Sequence, residues 1–266
     1  MELQVRGHTV RSTTGGQPLD TAQPLVVFLH GASQDRTLWA LQQRYFSHHG
    51  WSVLSPDLPG HGRSDGDLLP SIERMASWVA DLIEAAGFEV AALVGHSMGS
   101  LIALELAATR PEKVTKIVLS GSTAAMRVHE DLQSAADDNE RRAHEMVLGW
   151  SLSGQSGLGG HPTPGLWMHG HLLQTSLNAG DDVLASDLRA CHIYEPALDR
   201  AAAVQCPALV IMGAEDRMVH PKGVRQLINA LGSNTATATI KGGGHSMMVE
   251  RPDAVLDVLI AFLGSQ

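Results

Sequence analysis

The sequence predicts an α/β fold in which a mostly parallel, twisted sheet carries helices on both faces. Short continuous apolar runs typical of buried strands recur along the chain. Stretches typical of helices lie between them, and this alternation indicates a parallel sheet that is covered on both sides. A chain of 266 residues is long enough to bury one large core, so we expect one α/β domain with an insertion.

The first 121 residues show the alternation most clearly. An opening hairpin is expected over 2–14. Beyond it we predict strands at 24–29, 52–55, 90–94 and 116–120, and helices at 39–47, 71–86 and 101–108. The helix at 71–86 is strongly amphipathic, because one stripe of its surface holds Ile72, Met75, Ala76, Val79, Leu82 and Ile83.

The pattern changes in the next part of the chain. From 122 to about 204 no convincing strand is visible, whereas 131–151 and 180–191 are typical of helices. We therefore divide the chain into an α/β core, formed by 1–121 and 205–266, and a helical insertion over 122–204.

The most informative stretch is Gly95-His96-Ser97-Met98-Gly99. It lies between a predicted strand and a predicted helix, which is the setting of a nucleophile elbow. The serine of such an elbow occupies a turn so tight that its φ is usually positive, and bulk two residues away would collide with it. Glycine at both places meets that requirement. The alternative is a glycine-flanked serine that N-caps an ordinary helix.

A nucleophilic serine needs a base within hydrogen-bond reach and an acid that orients the base. Asp216 follows a predicted strand at 208–212, and His245 follows another at 236–240. Both residues therefore lie at the carboxyl edge of the sheet, where parallel α/β folds place their active sites. We predict His245 as the base and Asp216 as the acid, with the neighbouring Glu215 as the alternative acid.

A further element is His30-Gly31, which directly follows a predicted strand. A loop there can aim a backbone N–H at the oxyanion that acyl transfer builds, and each such donor is worth roughly 3 kcal/mol in the transition state. We predict Met98, the residue after the serine, as one donor and Ala32 as the other, with Ser33 as the alternative. Otherwise His30-Gly31 is simply a turn that ends the strand.

Together these segments resemble the α/β-hydrolase-fold serine hydrolases. The motifs that carry the resemblance are His30-Gly31, Asp57-Leu58-Pro59-Gly60-His61-Gly62-Arg63-Ser64, Gly95-His96-Ser97-Met98-Gly99, Gly213-Ala214-Glu215-Asp216 and Gly244-His245. The resemblance implies that the helical insertion is a cap that lies over the nucleophile and supplies most of the substrate pocket. It also implies catalysis through an acyl-enzyme on Ser97, with no metal or organic cofactor. The segment 57–64 is expected to be mostly a turn that shapes one wall.

The substrate pocket is expected to be apolar and adaptable. Met98, Met218 and Met247 each stand beside a proposed catalytic residue, and methionine is flexible and polarisable. We predict that the pocket is lined by His30, Ser33, Trp167, Met168, Met218 and Met247. The histidines of the insertion, notably His169 and His171, lack the spacing of zinc ligands, so no metal site is predicted.

The composition is ordinary for a globular protein, and the small-molecule ester substrate is expected from the motifs alone. The formal net charge is −9 and the acidic residues are scattered, which argues against a nucleic-acid or anionic-membrane partner. Two cysteines, Cys191 and Cys206, give no disulfide framework and are expected to be buried thiols. The N-terminus lacks the apolar core of a signal peptide and no apolar run is long enough to span a bilayer, so we expect a cytoplasmic protein.

The function expected from these features is hydrolysis of carboxylic esters of small to medium, apolar substrates. A carbon–carbon bond hydrolase for ring-cleavage products is an alternative, but such relatives usually carry further glycines where this chain has Ala32-Ser33. A lactonase, thioesterase or perhydrolase would use the same three residues. A ligand receptor that keeps them would turn over slowly, and its rate would distinguish it from an enzyme.

Overall fold

The computed structural model describes residues 1–157 and 167–264, and its centre is an eight-stranded sheet. The strands are β1 Glu2–Val5, β2 His8–Thr13, β3 Leu25–Leu29, β4 Ser52–Pro56, β5 Ala91–His96, β6 Val114–Ser120, β7 Ala208–Gly213 and β8 Thr235–Ile240. They lie in the order β1-β2-β4-β3-β5-β6-β7-β8. The β1–β2 and β2–β4 pairs are antiparallel and the other neighbours are parallel, so the expected hairpin and mostly parallel sheet are confirmed.

The carboxyl ends of three central strands, β3, β5 and β6, lie at one edge of the sheet. Every residue of β3 and β5 is buried, as expected for parallel strands covered on both faces. The register places Leu29 of β3 beside Gly95 of β5, and Gly95 beside Leu119 of β6. The loops that follow these strands therefore open at the same place.

Helices cover both faces of the sheet. They are α1 Ala40–Ser47, α2 Ile72–Ala85, α3 Met98–Thr109, α4 Glu130–Asp137, α5 Arg141–Ser151, α6 Gly154–Gly157, α7 Met168–Leu177, α8 Val183–Ile193, α9 Ala197–Ala203, α10 Pro221–Leu231, α11 Met247–Glu250 and α12 Pro252–Leu263. The predicted amphipathic helix is α2, and its N-cap Ser71 accepts a hydrogen bond from the Arg74 N–H. Among the described residues, no helix has both the length and the apolar character that crossing a membrane requires.

The core divides into two large clusters because successive strand residues point to opposite faces. Val27 and Leu29 pack with α2 and α3 on one face. Phe28 belongs to the other face, where its ring lies 5.6 Å from that of Trp39 and 6.0 Å from that of Phe46. Both faces are thus filled, and the sheet is a rigid base for the loops at its edge.

The stretch between β6 and β7, residues 122–204, is here called the helical segment. It contains α4 to α9 and, in its described part, no strand. The helix expected over 131–151 is in fact two, α4 and α5, because Asn139 adopts a left-handed φ of 52° and ends the first. A small core of its own holds the segment together, formed by Leu132, Ala135, Ala136, Ala143, Leu184, Ala185 and Leu188. Its last helix, α9, instead packs against α3 and α10 of the main core.

Candidate active site

Ser97 lies at the tight turn between β5 and α3. Its backbone has φ 51° and ψ −117°, the strained conformation expected of a nucleophile elbow. A Cβ on Gly95 would lie 2.1 Å from the Gly99 carbonyl oxygen, and one on Gly99 would lie 2.5 Å from the Leu29 carbonyl oxygen. A residue larger than glycine would therefore collide with the turn's own backbone at position 95 and with the end of β3 at position 99, which explains the Gly-x-Ser-x-Gly spacing.

Asp216 and His245 meet at the same edge of the sheet, on the loops after β7 and β8. The His245 Nδ1–H donates to Asp216 Oδ2 at 2.8 Å, and both side chains are almost completely buried. Asp216 Oδ1 also accepts from the N–H groups of Met218 at 2.8 Å and Val219 at 3.2 Å. Burial alone would raise the pKa of Asp216, but His245 and the two amides outweigh it and hold the pKa below its usual range. The alternative acid, Glu215, is exposed and makes no such contact with His245.

The loop that carries His245 is anchored from two sides. The His245 N–H donates to the Ser151 carbonyl oxygen at 2.7 Å, at the end of α5. The buried Glu250 carboxylate accepts from the Gly244 N–H and from the Ser153 N–H, each at 2.8 Å. This loop is thereby tied to the helical segment. Nε2 of His245 has no hydrogen-bond partner in the described part of the chain, and His245 lines a cavity together with Ser97.

Two backbone N–H groups near Ser97 remain available. Among the described residues, neither the Ala32 N–H nor the Met98 N–H has a hydrogen-bond partner. The Ser33 N–H, by contrast, donates to Asp187 Oδ2 at 2.8 Å, and its Oγ contacts the Ser176 hydroxyl. Ser33 is therefore engaged with the helical segment, and of the two donors considered for this loop only Ala32 has its N–H free.

The cavity beside Ser97 has a volume of about 560 Å³. From the core it is lined by Gly31, Ala32, Leu38, Met218 and Val219, among others. The helical segment contributes most of the apolar wall, including Met126, Leu132, Val147, Leu148, Leu172 and Leu188.

Of the six residues predicted to line the pocket, only Met218 does so. Met168 and Met247 are buried in the core cluster that also contains Phe28, because their helices turn these side chains away from the cavity. Trp167 is 71% exposed, with its ring stacked 6.3 Å from that of His169. The predictions that Trp167, Met168 and Met247 line the pocket were therefore wrong, and so were those for His30 and Ser33.

His30 and Ser33 are buried beneath the loop instead of facing the cavity. Nε2 of His30 accepts from the Leu58 N–H at 3.2 Å, and its Nδ1–H donates to the Gly31 carbonyl oxygen at 2.9 Å. The side chain of Met98 likewise packs in the main core, so of the three methionines that the sequence placed beside catalytic residues only Met218 lines the cavity.

A second buried pair, His61 and Asp187, contacts the loop after β3 that carries Ala32 and Ser33, here called the Ala32 loop. His61 Nε2 contacts Asp187 Oδ2 at 2.9 Å, and its Nδ1–H donates to the Pro59 carbonyl oxygen at 3.0 Å. Burial alone would lower the pKa of His61, but the Asp187 carboxylate outweighs it and raises the pKa above its usual range. His61 lies in a motif that the sequence singled out, whereas nothing in the sequence marks Asp187.

His96, next to Ser97, is a fourth buried histidine near the site, after His245, His30 and His61. Its Nε2–H donates to the His245 carbonyl oxygen at 3.1 Å, and the two rings lie 4.8 Å apart. Burial, reinforced by the neighbouring His245, lowers the pKa of His96 to about 3. It is therefore a neutral brace between the elbow and the His245 loop.

Neither cysteine belongs to the His245–Asp216 pair, although Cys191 lines the cavity. Cys191 is a buried free thiol and Cys206 is partly buried. Burial raises the pKa of Cys206 to about 11, so it remains protonated at neutral pH. Within the described residues, no three His, Cys, Asp or Glu side chains are grouped as metal ligands would be.

Comparison with known proteins places the fold in a wider context. Two relatives are each identical to this chain at about a quarter of the aligned positions. The chain is 26% identical over 253 residues to an (E)-2-((N-methylformamido)methylene)succinate hydrolase of Acinetobacter baylyi, covering 91% of this chain and 90% of that protein. It is 26% identical over 260 residues to a pimeloyl-(acyl-carrier protein) methyl ester esterase of Pectobacterium carotovorum, covering 89% and 93%.

A solved structure shows how far the architecture agrees. The enol-lactonase of Burkholderia xenovorans superposes with a TM-score of 0.88 at 22% identity, over 100% of both chains. Residues 24–252 match the family model for the alpha/beta hydrolase fold. The chain therefore belongs to the α/β-hydrolase-fold family.

Proposed function

We propose that the protein is a serine hydrolase that cleaves carboxylic esters through an acyl-enzyme on Ser97. The observation that carries this proposal is the 2.8 Å bond from His245 Nδ1 to Asp216, which leaves Nε2 unpartnered within the described residues, at a cavity that Ser97 also lines. Because Nδ1 carries the proton, neutral His245 presents a lone pair at Nε2, which is what a general base needs.

The reaction would run in two halves. In the first, His245 Nε2 takes the Ser97 hydroxyl proton while Oγ bonds to the ester carbonyl carbon, and the alcohol then leaves with that proton. In the second, His245 takes a proton from water, the hydroxide attacks the acyl-enzyme, and the proton returns to Ser97 Oγ as the acid departs. One ester and one water give one acid and one alcohol.

The N–H groups of Ala32 and Met98 would receive the oxyanion in both halves. Neither has a hydrogen-bond partner among the described residues, so no existing bond would have to break when the oxyanion forms. Each is expected to stabilise the transition state by about 3 kcal/mol. Met98 also begins α3, whose N-terminus favours the developing negative charge.

We also propose that the helical segment acts as a cap that selects the substrate. Most of the apolar cavity wall comes from its helices, and the cavity of about 560 Å³ suits a small to medium ester. The likeness to a methyl ester esterase supports ester cleavage over the carbon–carbon alternative.

The test is hydrolysis of p-nitrophenyl esters from acetate to dodecanoate. Wild type should turn over repeatedly, with a preferred chain length that measures the cavity, and Ser97→Ala should lose at least about four orders of magnitude in kcat. Ser134→Ala, at an exposed position on α4, is the matched control and should keep full activity. Equal rates for Ser97→Ala and wild type would overturn the proposal, and a burst of one turnover by wild type would favour a receptor.

A further inference from the structure

The cavity beside Ser97 has an unusual charge for this protein. The chain has 28 acidic residues and a formal net charge of −9. Yet the described residues that line the cavity include no Asp or Glu. Residues 158–166, which lie outside the described part, contain none in their sequence either. Although the chain is acidic, the described wall of this cavity therefore carries no carboxylate side chain.

Two arginines do line the cavity, and they differ in their partners. Arg127 is neutralised, because its guanidinium contacts Glu195 at 3.2 Å and also donates to the His192 carbonyl oxygen at 3.3 Å. Arg217 has no carboxylate partner among the described residues. Its Nη2 donates to the carbonyl oxygens of Gly149 at 2.6 Å and Leu152 at 3.0 Å.

Those carbonyl oxygens orient Arg217 without cancelling its charge. They lie at the end of α5, where a cation is favourable, so a purely structural role as a helix cap is the competing explanation. However, both bonds use one nitrogen, Nη2, while Nε and Nη1 have no hydrogen-bond partner among the described residues. A guanidinium has five N–H donors in a planar fork that matches a carboxylate, so most of that fork remains available.

The location of Arg217 connects this charge to the reaction. It directly follows Asp216, and its carbonyl partners flank Ser151, whose own carbonyl oxygen holds the His245 N–H. A substrate group bound by Arg217 would therefore lie at the wall of the same cavity that holds the reacting serine.

We propose that the ester cleaved at Ser97 carries a carboxylate at a distance from the ester group, and that Arg217 recognises this carboxylate. The inference rests on the proposed function, and it narrows the substrate class from apolar esters to esters of half-acid type. The apolar wall then contacts the methylene chain between the ester and the carboxylate, while the Arg217 guanidinium fixes the orientation of the substrate.

Two matched esters test the proposal. Monomethyl adipate ends in a carboxylate, and methyl adipamate replaces this group with a carboxamide of the same size. Wild type should favour monomethyl adipate by about tenfold or more in kcat/KM, the discrimination expected of one charge-assisted hydrogen bond. Arg217→Met should abolish the preference by raising KM for monomethyl adipate about tenfold more than KM for methyl adipamate.

The controls separate recognition from folding and from catalysis. Arg225→Met removes an equal charge from an exposed position on α10 and should keep the preference. Equal use of both esters by wild type, or an equal loss on both in Arg217→Met, would overturn the proposal. Calorimetric binding of the two esters to Ser97→Ala gives the same comparison without turnover. Tighter binding of monomethyl adipate there that disappears on adding Arg217→Met would uphold the carboxylate site even if ester cleavage fails, and equal binding would refute it.

Discussion

The described part of the chain contains two buried histidine–aspartate pairs. His245 bonds to Asp216 at 2.8 Å and His61 contacts Asp187 at 2.9 Å. All four side chains are at most 4% exposed. By burial and distance alone, the pairs are indistinguishable.

The difference lies in the second nitrogen of each ring. Nδ1 of His61 donates to the Pro59 carbonyl oxygen, whereas Nε2 of His245 has no partner in the described part of the chain. A carbonyl and a carboxylate both accept, so the two contacts favour the doubly protonated, cationic form of His61, in line with its raised pKa. Pairing with an aspartate is therefore not enough to make a histidine a general base. The ring also needs a second nitrogen without a hydrogen-bond partner, as His245 has at the cavity within the described residues.

The largest effect expected from this comparison is on catalysis. His245→Gln should lower kcat by about four orders of magnitude or more, because it removes the proposed base for the Ser97 proton. His61→Gln should leave kcat within about tenfold but lower the free energy of unfolding by about 3 to 5 kcal/mol, since Asp187 becomes an unpaired buried charge. Ester kinetics and urea unfolding of both variants measure the two effects.

Similar behaviour of His245→Gln and His61→Gln would contradict the different roles given to the two histidines. A similar loss of kcat in His61→Gln would mean that His61 acts in the reaction and not only in holding the Ala32 loop. Unchanged stability in that variant would mean that Asp187 forms other hydrogen bonds when His61 is lost. In the wild-type structure the one backbone N–H that donates to Asp187 among the described residues is that of Ser33.

A smaller effect is the pH dependence of stability, which should differ in sign between the pairs. The folded-state pKa of His61 is raised, so its contribution is fully present below the unfolded value of about 6.5 and is lost as pH rises through the folded pKa. The folded-state pKa of Asp216 is lowered, so its contribution is present above about 3.9 and is lost as pH falls through the folded pKa. The stability difference between wild type and His61→Gln, followed by urea unfolding, should therefore shrink from pH 6.5 upward.

An alkaline loss of the same size in His61→Gln would contradict this assignment. Asp187→Asn provides the check from the other partner, because it removes the charge that raises the His61 pKa. Its stability should no longer show the wild-type decline above pH 6.5.

The smallest effect concerns the anchor of the catalytic loop. Glu250→Gln replaces one of the two oxygens that accept from Gly244 and Ser153 with an N–H donor. We expect a loss of about 1 to 3 kcal/mol in the free energy of unfolding, the cost of one unsatisfied buried group. The kcat should fall by less than about tenfold with KM nearly unchanged, and the exposed Glu112→Gln is the matched control. A full loss of activity would place Glu250 in the chemistry itself.

The features that could be predicted from the sequence are those that residues close together in the chain determine. Gly95 and Gly99 are required by backbone contacts under 3 Å, so the elbow is visible in five consecutive residues. The strands before Asp216 and His245 are apolar runs, and parallel strands place such ends at one edge. The fold and the positions of these three side chains could therefore be predicted from the sequence.

The cavity wall could not be predicted in the same way. Whether Met168 or Met247 faces the cavity depends on the rotation of its helix, which packing with distant residues decides. The His61–Asp187 contact joins residues 126 positions apart, and neither short motif nor spacing records it. Arg217 stands beside the predicted acid, but only the absence of a carboxylate around it, seen in three dimensions, gives it meaning.

The most direct test of the difference between the two pairs is labelling with a fluorophosphonate, which reacts only with an activated serine. Peptide mass spectrometry should locate one label per chain on Ser97 in wild type and in His61→Gln, at similar rates. The same experiment on His245→Gln should show labelling slowed by several orders of magnitude. Labelling at another serine, or equal rates in His245→Gln and wild type, would contradict the assignment of His245 as the base.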